Sequence, residues 1–228
     1  MLKAVIFDFD GVIVDTEPLH HRAFMEVLSP FGISCTWQEY REHYMGFDDR
    51  DGFRAFFKGV GKTLAEADLH HLIDQKAAAF QRIASKGVTP YPGVLELVET
   101  LATTLPVALC SGALRSDIDP ILDGLGIAHH FSAMVTADDV RHSKPDPESY
   151  LLAVARLRKR ASLGDSSPGV ILAIEDTPAG IDSARGAGLS VLAVSNSYPK
   201  SFLESLGVSV VSSLKNVTFR DLNQFAGY

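Results

Sequence analysis

Short, nearly continuous apolar runs recur along the chain at Ala4 to Phe9, Val107 to Cys110, Ala133 to Thr136, Val170 to Ile174, Val191 to Val194 and Val208 to Val211. Runs of this kind predict strands covered on both faces. Between them, Val94-Leu95-Leu97-Val98-Leu101 and Ile118-Ile121-Leu122-Leu125 place apolar residues at helical spacing, as does the stretch from Tyr150 to Leu157. Strand alternating with helix predicts an α/β fold built on a doubly wound parallel sheet.

The rhythm breaks between Glu17 and Gly87, where helical patterns occur without a strand. His20, Ala23, Phe24, Val27 and Leu28 form one amphipathic face, and Leu69, Leu72, Ile73, Ala77 and Phe80 form another. Proline and glycine punctuate both seams, in Thr16-Glu17-Pro18 and in Gly87-Val88-Thr89-Pro90-Tyr91-Pro92-Gly93, as a two-strand linker requires. The expectation is a helical domain of residues 17–87 inserted into a core of residues 1–16 and 88–228. Arg156 to Pro168 reads as a basic helix end followed by a solvated polar loop.

The composition, 46% hydrophobic and 21% charged over 228 residues, supports a sizeable core with a smaller appended unit. A formal net charge of −7 argues against nonspecific nucleic-acid binding, which needs a basic face. An anionic substrate would therefore need a locally basic site. Cys35 and Cys110 are far apart and form no CxxC pair, so neither a zinc site nor a disulfide framework is indicated. The amino terminus runs straight into a strand, unlike a signal peptide or a membrane span. These features predict a cytoplasmic protein, monomeric or weakly self-associating, with no membrane or nucleic-acid partner.

Candidate chemistry gathers at strand ends. The first apolar run delivers Asp8 and Asp10, with one residue between them, ahead of Gly11. Residues two apart on a strand share a face, so the two carboxylates would repel unless a cation sat between them. A hard divalent ion such as magnesium suits carboxylate oxygens, and carboxyl ends of parallel strands are where α/β sheets bind ligands. A plain Asp-Gly turn is the competing reading. Ser111-Gly112-Ala113 follows the second run, where a hydroxyl and backbone N–H groups can cradle a phosphoryl oxygen. Lys144 lies in the proline-stiffened loop His142-Ser143-Lys144-Pro145-Asp146-Pro147. The fourth run ends in Glu175-Asp176-Thr177-Pro178, where Asp176 or Thr177 could cap the next helix with Pro178 in its first turn.

Asp8-x-Asp10-Gly11, Ser111, Lys144-Pro145 and Glu175-Asp176, in this order and with the two seams around the insertion, resemble the haloacid dehalogenase superfamily, in its branch with a helical cap after the first strand. The resemblance spans essentially the whole chain and implies a Rossmann-like core. It implies Asp8 as the nucleophile that forms an aspartyl phosphate and Asp10 as the general acid and base. It further implies magnesium held by Asp8, the Asp10 carbonyl and Asp176, with Glu175 direct or through water, and Ser111 and Lys144 on the phosphoryl oxygens. Asp10 separates the chain from true dehalogenases and from phosphonate-cleaving members, which lack it.

Within that branch, mutases and sugar phosphatases are harder to part. His20 and Lys76 match positions that serve mutases, whereas Arg50 stands one place later than the mutase spacing. Gly112-Ala113-Leu114-Arg115 departs from the mutase Ser-Ala-Ser run, and the Ser-Asn-Lys of many phosphoglycolate phosphatases is missing. The reading favoured by the resemblance is a magnesium-dependent phosphatase acting on a small phosphorylated metabolite, a sugar phosphate above all. A β-phosphoglucomutase-type phosphotransferase and a noncatalytic phosphate-binding homologue are the alternatives. His20, Tyr44, Phe47, Arg50 and Lys76 are expected to face the leaving group, and Arg115 to add positive charge near the phosphate.

Overall fold

The computed structural model describes residues 1–161 and 170–227. From residue 162 onward, the polar loop expected as far as Pro168 lies outside the described residues. Along the chain come β1 (Leu2–Phe7), α1 (Glu17–Leu28), α2 (Trp37–His43), α3 (Asp49–Gly59), α4 (Glu66–Ala84), α5 (Val94–Ala102), β2 (Val107–Cys110) and α6 (Arg115–Gly124). They are followed by β3 (Phe131–Val135), α7 (Glu148–Ala161), β4 (Val170–Glu175), α8 (Pro178–Gly186), β5 (Ser190–Val194), α9 (Lys200–Ser205), β6 (Ser209–Val211) and α10 (Phe219–Phe225).

The strands form one parallel sheet in the order β3-β2-β1-β4-β5-β6. Side-chain size divides its two faces. Val5, Phe7, Val107, Leu109, Leu172, Ile174, Leu192 and Val194 project to one side, where α5 meets β2 and α10 meets β5. Ala4, Ile6, Ala108, Cys110, Ala173 and Ala193 project to the other, where α7 packs on β2 and β3, and α8 on β4 and β5. Small residues let those helices approach closely, while the larger ones fill a deeper layer at close-packed density.

The strand order reverses between β1 and β4, the point at which open α/β sheets form a crevice at their carboxyl ends. β1 stops at Phe7, short of the Phe9 expected from apolarity. Phe9 instead turns the chain, its carbonyl accepting from the amides of Val12, Ile13 and Val14. α1 to α4 leave the sheet through Ile13–Asp15 and return through Thr89–Tyr91, and the two strands of this passage pair: Tyr91 N donates to Ile13 O at 2.9 Å and Asp15 N to Thr89 O at 3.3 Å. Phe24, Phe53, Phe56 and Phe80 of the helical segment are continuous with the larger-residue face of the sheet. Among the described residues, no helix is long and apolar enough to cross a membrane.

Candidate active site

β1 and β4 set the positions of the acidic groups, and the loop before α7 supplies their counter-charge. Lys144 Nζ donates to Asp8 Oδ1 at 2.7 Å, to Glu175 Oε1 at 2.6 Å and to the Cys110 carbonyl at 3.0 Å. All three of its N–H bonds are thereby directed. Burial acts to lower the Lys144 pKa, but the Asp8 and Glu175 carboxylates outweigh it and hold the ammonium well above its usual range. Glu175, fully buried, also accepts from Tyr150 Oη at 2.7 Å and from the Asp176 amide at 3.2 Å. With both oxygens engaged, Glu175 anchors Lys144.

Asp176 is different. Its Oδ2 accepts from the Ser197 hydroxyl, while its Oδ1 is buried and without a partner among the described residues. Thr177, not Asp176, caps α8, its hydroxyl accepting from Gly180 N at 3.1 Å. Asp8, Glu175 and Asp176 each offer a carboxylate oxygen, and these atoms lie within 4.8 Å of one another. Three buried carboxylates thus face one ammonium. Burial pushes the Asp8 and Asp176 carboxyls well above the usual carboxylate range; Lys144 opposes this at Asp8 while Glu175 and Asp10 add to it, and Asp8 and Glu175 add to it at Asp176. An unpartnered oxygen in an all-oxygen cluster with surplus negative charge fits a hard divalent cation. The Asp10 carbonyl, which receives no hydrogen bond among the described residues, fits as a further oxygen donor. Two glycines permit this crowding. At Gly11, where φ is +81°, a Cβ would overlap the Asp176 carboxylate, and at Gly180 it would overlap that of Glu175.

The Asp10 side chain departs from the expectation of two carboxylates sharing one cation. Because β1 ends at Phe7, the strand rule of alternate faces no longer governs residues 8 to 10. Asp10 Oδ1 instead accepts from the Thr16 hydroxyl and lies 3.4 Å from His20 Nε2. Lys76 Nζ is 2.7 Å from His20 Nδ1 and 2.7 Å from Asp49 Oδ1. An ammonium has only donors, so Nδ1 accepts and Nε2 carries the proton offered to Asp10. Burial alone would raise the Asp10 carboxyl, but His20, Thr16 and Lys76 together hold it below its ordinary value. The His20 ring is stacked on Phe80 at 4.2 Å, and Lys76 lies over Phe24 and Phe80 at 5.2 Å each.

The remaining expected residues divide. Gly112 and Ala113 line the cleft, with Phe47 on the opposite wall. Ser111, buried below them, accepts from Ala113 N at 3.0 Å, which fixes the turn and leaves its hydroxyl proton to donate. Arg50 and Arg115 are not brought into the cleft. Asp48 Oδ2 holds Arg50 through Nε at 3.0 Å and Nη2 at 2.8 Å, and Asp119 pairs with Arg115 at 3.0 Å on α6. Lys76 is buried behind His20, and Tyr44 stacks on Phe56 at 4.0 Å instead of facing the cavity. Thr16 was visible in the sequence as a seam residue only, and nothing in the sequence marks Tyr150 or Ser197 as partners of the site. Asp117, on α6, is buried with neither carboxylate oxygen partnered. Burial pushes its carboxyl up to about 6, with Lys76 and His20 opposing and Asp49 and Asp10 adding.

Known proteins resemble this chain in sequence and in fold. The profile of the haloacid dehalogenase-like hydrolases matches residues 5–194. The fructose-1-phosphate phosphatase YqaB of Escherichia coli strain K12 is 30% identical over 190 residues, covering 83% of this chain and 95% of that protein. The β-phosphoglucomutase of Bacillus subtilis strain 168 is 30% identical over 204 residues, covering 87% and 85%. The crystal structure of a β-phosphoglucomutase from Clostridium difficile superposes with a TM-score of 0.82 at 23% identity, over 99% of this chain and 97% of that one, a likeness of fold. With acids at the ends of β1 and β4, a lysine between them and a family profile spanning the sheet from β1 to β5, the chain belongs to the haloacid dehalogenase-like hydrolases.

Proposed function

We propose that this chain is a magnesium-dependent phosphatase that hydrolyses a small phosphate monoester, a sugar phosphate, through an aspartyl phosphate on Asp8. The observation that carries the reading is the division of labour between two carboxylates two residues apart. Asp8 joins Lys144 and Asp176 in the cation-fitting cluster, whereas Asp10 is turned to Thr16 and His20. A nucleophile and a proton carrier need such different surroundings.

Asp8, Asp176 and the Asp10 carbonyl would hold the magnesium, with Glu175 behind them; when bound, the ion offsets charge on the phosphoryl oxygens. Lys144 restrains one Asp8 oxygen and balances the charge of the incoming phosphate. The Gly112 amide and the Ser111 hydroxyl supply donors to the phosphoryl oxygens, while the Ala113 amide holds Ser111 in place. Asp8 forms a bond to phosphorus as the bond to the ester oxygen breaks, and the proton on Asp10 passes to that oxygen to give the alcohol. Asp10, now a carboxylate, then takes a proton from water as the water oxygen attacks phosphorus, which frees Asp8 and inorganic phosphate. The low Asp10 pKa suits the second step and opposes the first, for which Asp10 must take up a proton from solvent before the ester oxygen leaves.

Residues 17–87 act in this reading as a cap on a core of 1–16 and 88–228. The cleft beneath measures about 60 Å³, room for a few water molecules, and in this reading the helices lift to admit a sugar phosphate. Arg41 to the Ser197 carbonyl at 3.3 Å, Arg50 to the Val140 carbonyl at 3.4 Å and Ser143 Oγ to Asp51 at 2.6 Å latch them down.

The test is phosphate release from p-nitrophenyl phosphate and a sugar phosphate panel, with and without magnesium, in wild type and Asp8→Asn. Turnover that needs magnesium and is lost in Asp8→Asn is expected. Conversion of β-glucose 1-phosphate to glucose 6-phosphate without net phosphate release would replace the reading by a phosphotransferase.

A further inference from the structure

The wall of the cleft away from the phosphate loop is acidic. Among the described residues that line the cleft, the helical segment contributes the carboxylates of Glu17, Asp48 and Asp49 and no lysine or arginine. The two nearby cations are already matched: Arg50 by Asp48 at 2.8 Å and Lys76 by Asp49 at 2.7 Å. Lys76 is 1% exposed and its ammonium is divided between Asp49 and His20, so it is not available to an anion from solution. Glu17, which accepts from Tyr40 Oη at 2.9 Å, has no cation among the described residues that line the cleft from the helical segment.

Asp49 stands out within this wall. Lys76 takes Oδ1, while Oδ2 is buried without any hydrogen-bond partner. Both oxygens of Asp117, 2% exposed, are likewise unpartnered among the described residues, but Asp117 lines a separate cavity with Phe80, Gln81 and Pro120. Buried polar atoms are nearly always hydrogen-bonded, and leaving an acceptor unmade destabilises the fold. The acceptor left open at Asp49, in the wall of the cleft, calls for a donor from the molecule that fills it. A hydroxylated carbon chain supplies it. A second phosphate would meet carboxylates with no free cation to hold it, and burial in a closed cleft strengthens that repulsion.

We propose that Asp49 is a specificity-determining residue that accepts a hydrogen bond from a hydroxyl group of the leaving alcohol, and that this wall selects polyol monophosphates and rejects bisphosphates. The proposal rests on the phosphatase reading above.

The experiment compares kcat/KM for fructose 1-phosphate, fructose 1,6-bisphosphate and p-nitrophenyl phosphate in wild type, Asp49→Asn and Asp49→Ala, with circular dichroism to confirm folding. Wild type should prefer the monophosphate to the bisphosphate by at least tenfold. Each substitution should lower kcat/KM for fructose 1-phosphate at least tenfold more than for p-nitrophenyl phosphate, chiefly through KM, and should narrow the discrimination against the bisphosphate. Equal or better use of the bisphosphate by wild type overturns the proposal, and this arm needs no variant to fold. An equal loss on the sugar and aryl substrates also overturns it, since Asp49 would then act only by holding Lys76 and His20. No turnover of any of the three substrates by wild type would instead sink the phosphatase reading itself, and the proposal with it.

Discussion

Asp117 illustrates how one buried side chain writes a pH dependence into the whole molecule. Its carboxyl titrates at about 6 in the folded chain against 3.8 ordinarily, so the folded state binds the extra proton between those values. Stability therefore falls as pH rises from about 4 to 6, then levels. Asp117→Asn removes that slope: the variant should match wild type near pH 4 and exceed it by up to about 3 kcal/mol above pH 7. Urea unfolding at the two pH values checks this, and a constant difference across the range would contradict it. Gly180 makes an opposite prediction. A methyl group there overlaps the Glu175 carboxylate, so Gly180→Ala should destabilise by roughly 1–3 kcal/mol and disturb the Lys144 anchor, seen as a lower denaturation midpoint together with weaker catalysis.

At the scale of elements, the latch between α3 and the loop before α7 is the contact most open to test. Asp51 accepts from Ser143, next to Lys144, at 2.6 Å, and a hydrogen bond to a charged group contributes on the order of 1.5–3 kcal/mol. Ser143→Ala should raise KM about tenfold, the equivalent of roughly 1.4 kcal/mol, while changing global stability little. Steady-state kinetics on fructose 1-phosphate would show it, and an unaltered KM would remove the latch from the argument. The elements themselves were largely legible beforehand. All six apolar runs became strands, because residues covered on both faces leave a continuous apolar record. Their ends were less legible. β1 extends back to Leu2 through pairing with Val170 and ends at Phe7, because the turn around Phe9 draws three amides to one carbonyl, a feature that apolarity does not encode.

For the whole molecule, the surplus of buried carboxylates at the junction of β1 and β4 links stability to a cation. Magnesium at 100 times its dissociation constant should stabilise the fold by about 2.7 kcal/mol, raising Tm in wild type. Asp176→Asn should abolish that rise and, in the presence of EDTA, melt no lower than wild type, since it relieves repulsion with Asp8 and Glu175. A magnesium-dependent Tm that survives Asp176→Asn would move the ion elsewhere. The sequence by itself determined the parallel sheet, the helical stretch after β1 and the catalogue of acids, lysine and serine at strand ends, because burial patterns and chemistry-bearing residues are local properties. Only the tertiary structure decided which of them meet. It turned Asp10 away from Asp8, because a strand that ends at Phe7 no longer constrains its successors. It satisfied Glu175 and left Asp176 open, because Tyr150 arrives from a distant helix. It withdrew Arg50 and Arg115 into pairs with neighbouring acids, and in doing so made the wall facing the leaving group one of acceptors. Partner choice among charges depends on distances across the fold, and spacing along the chain does not contain them.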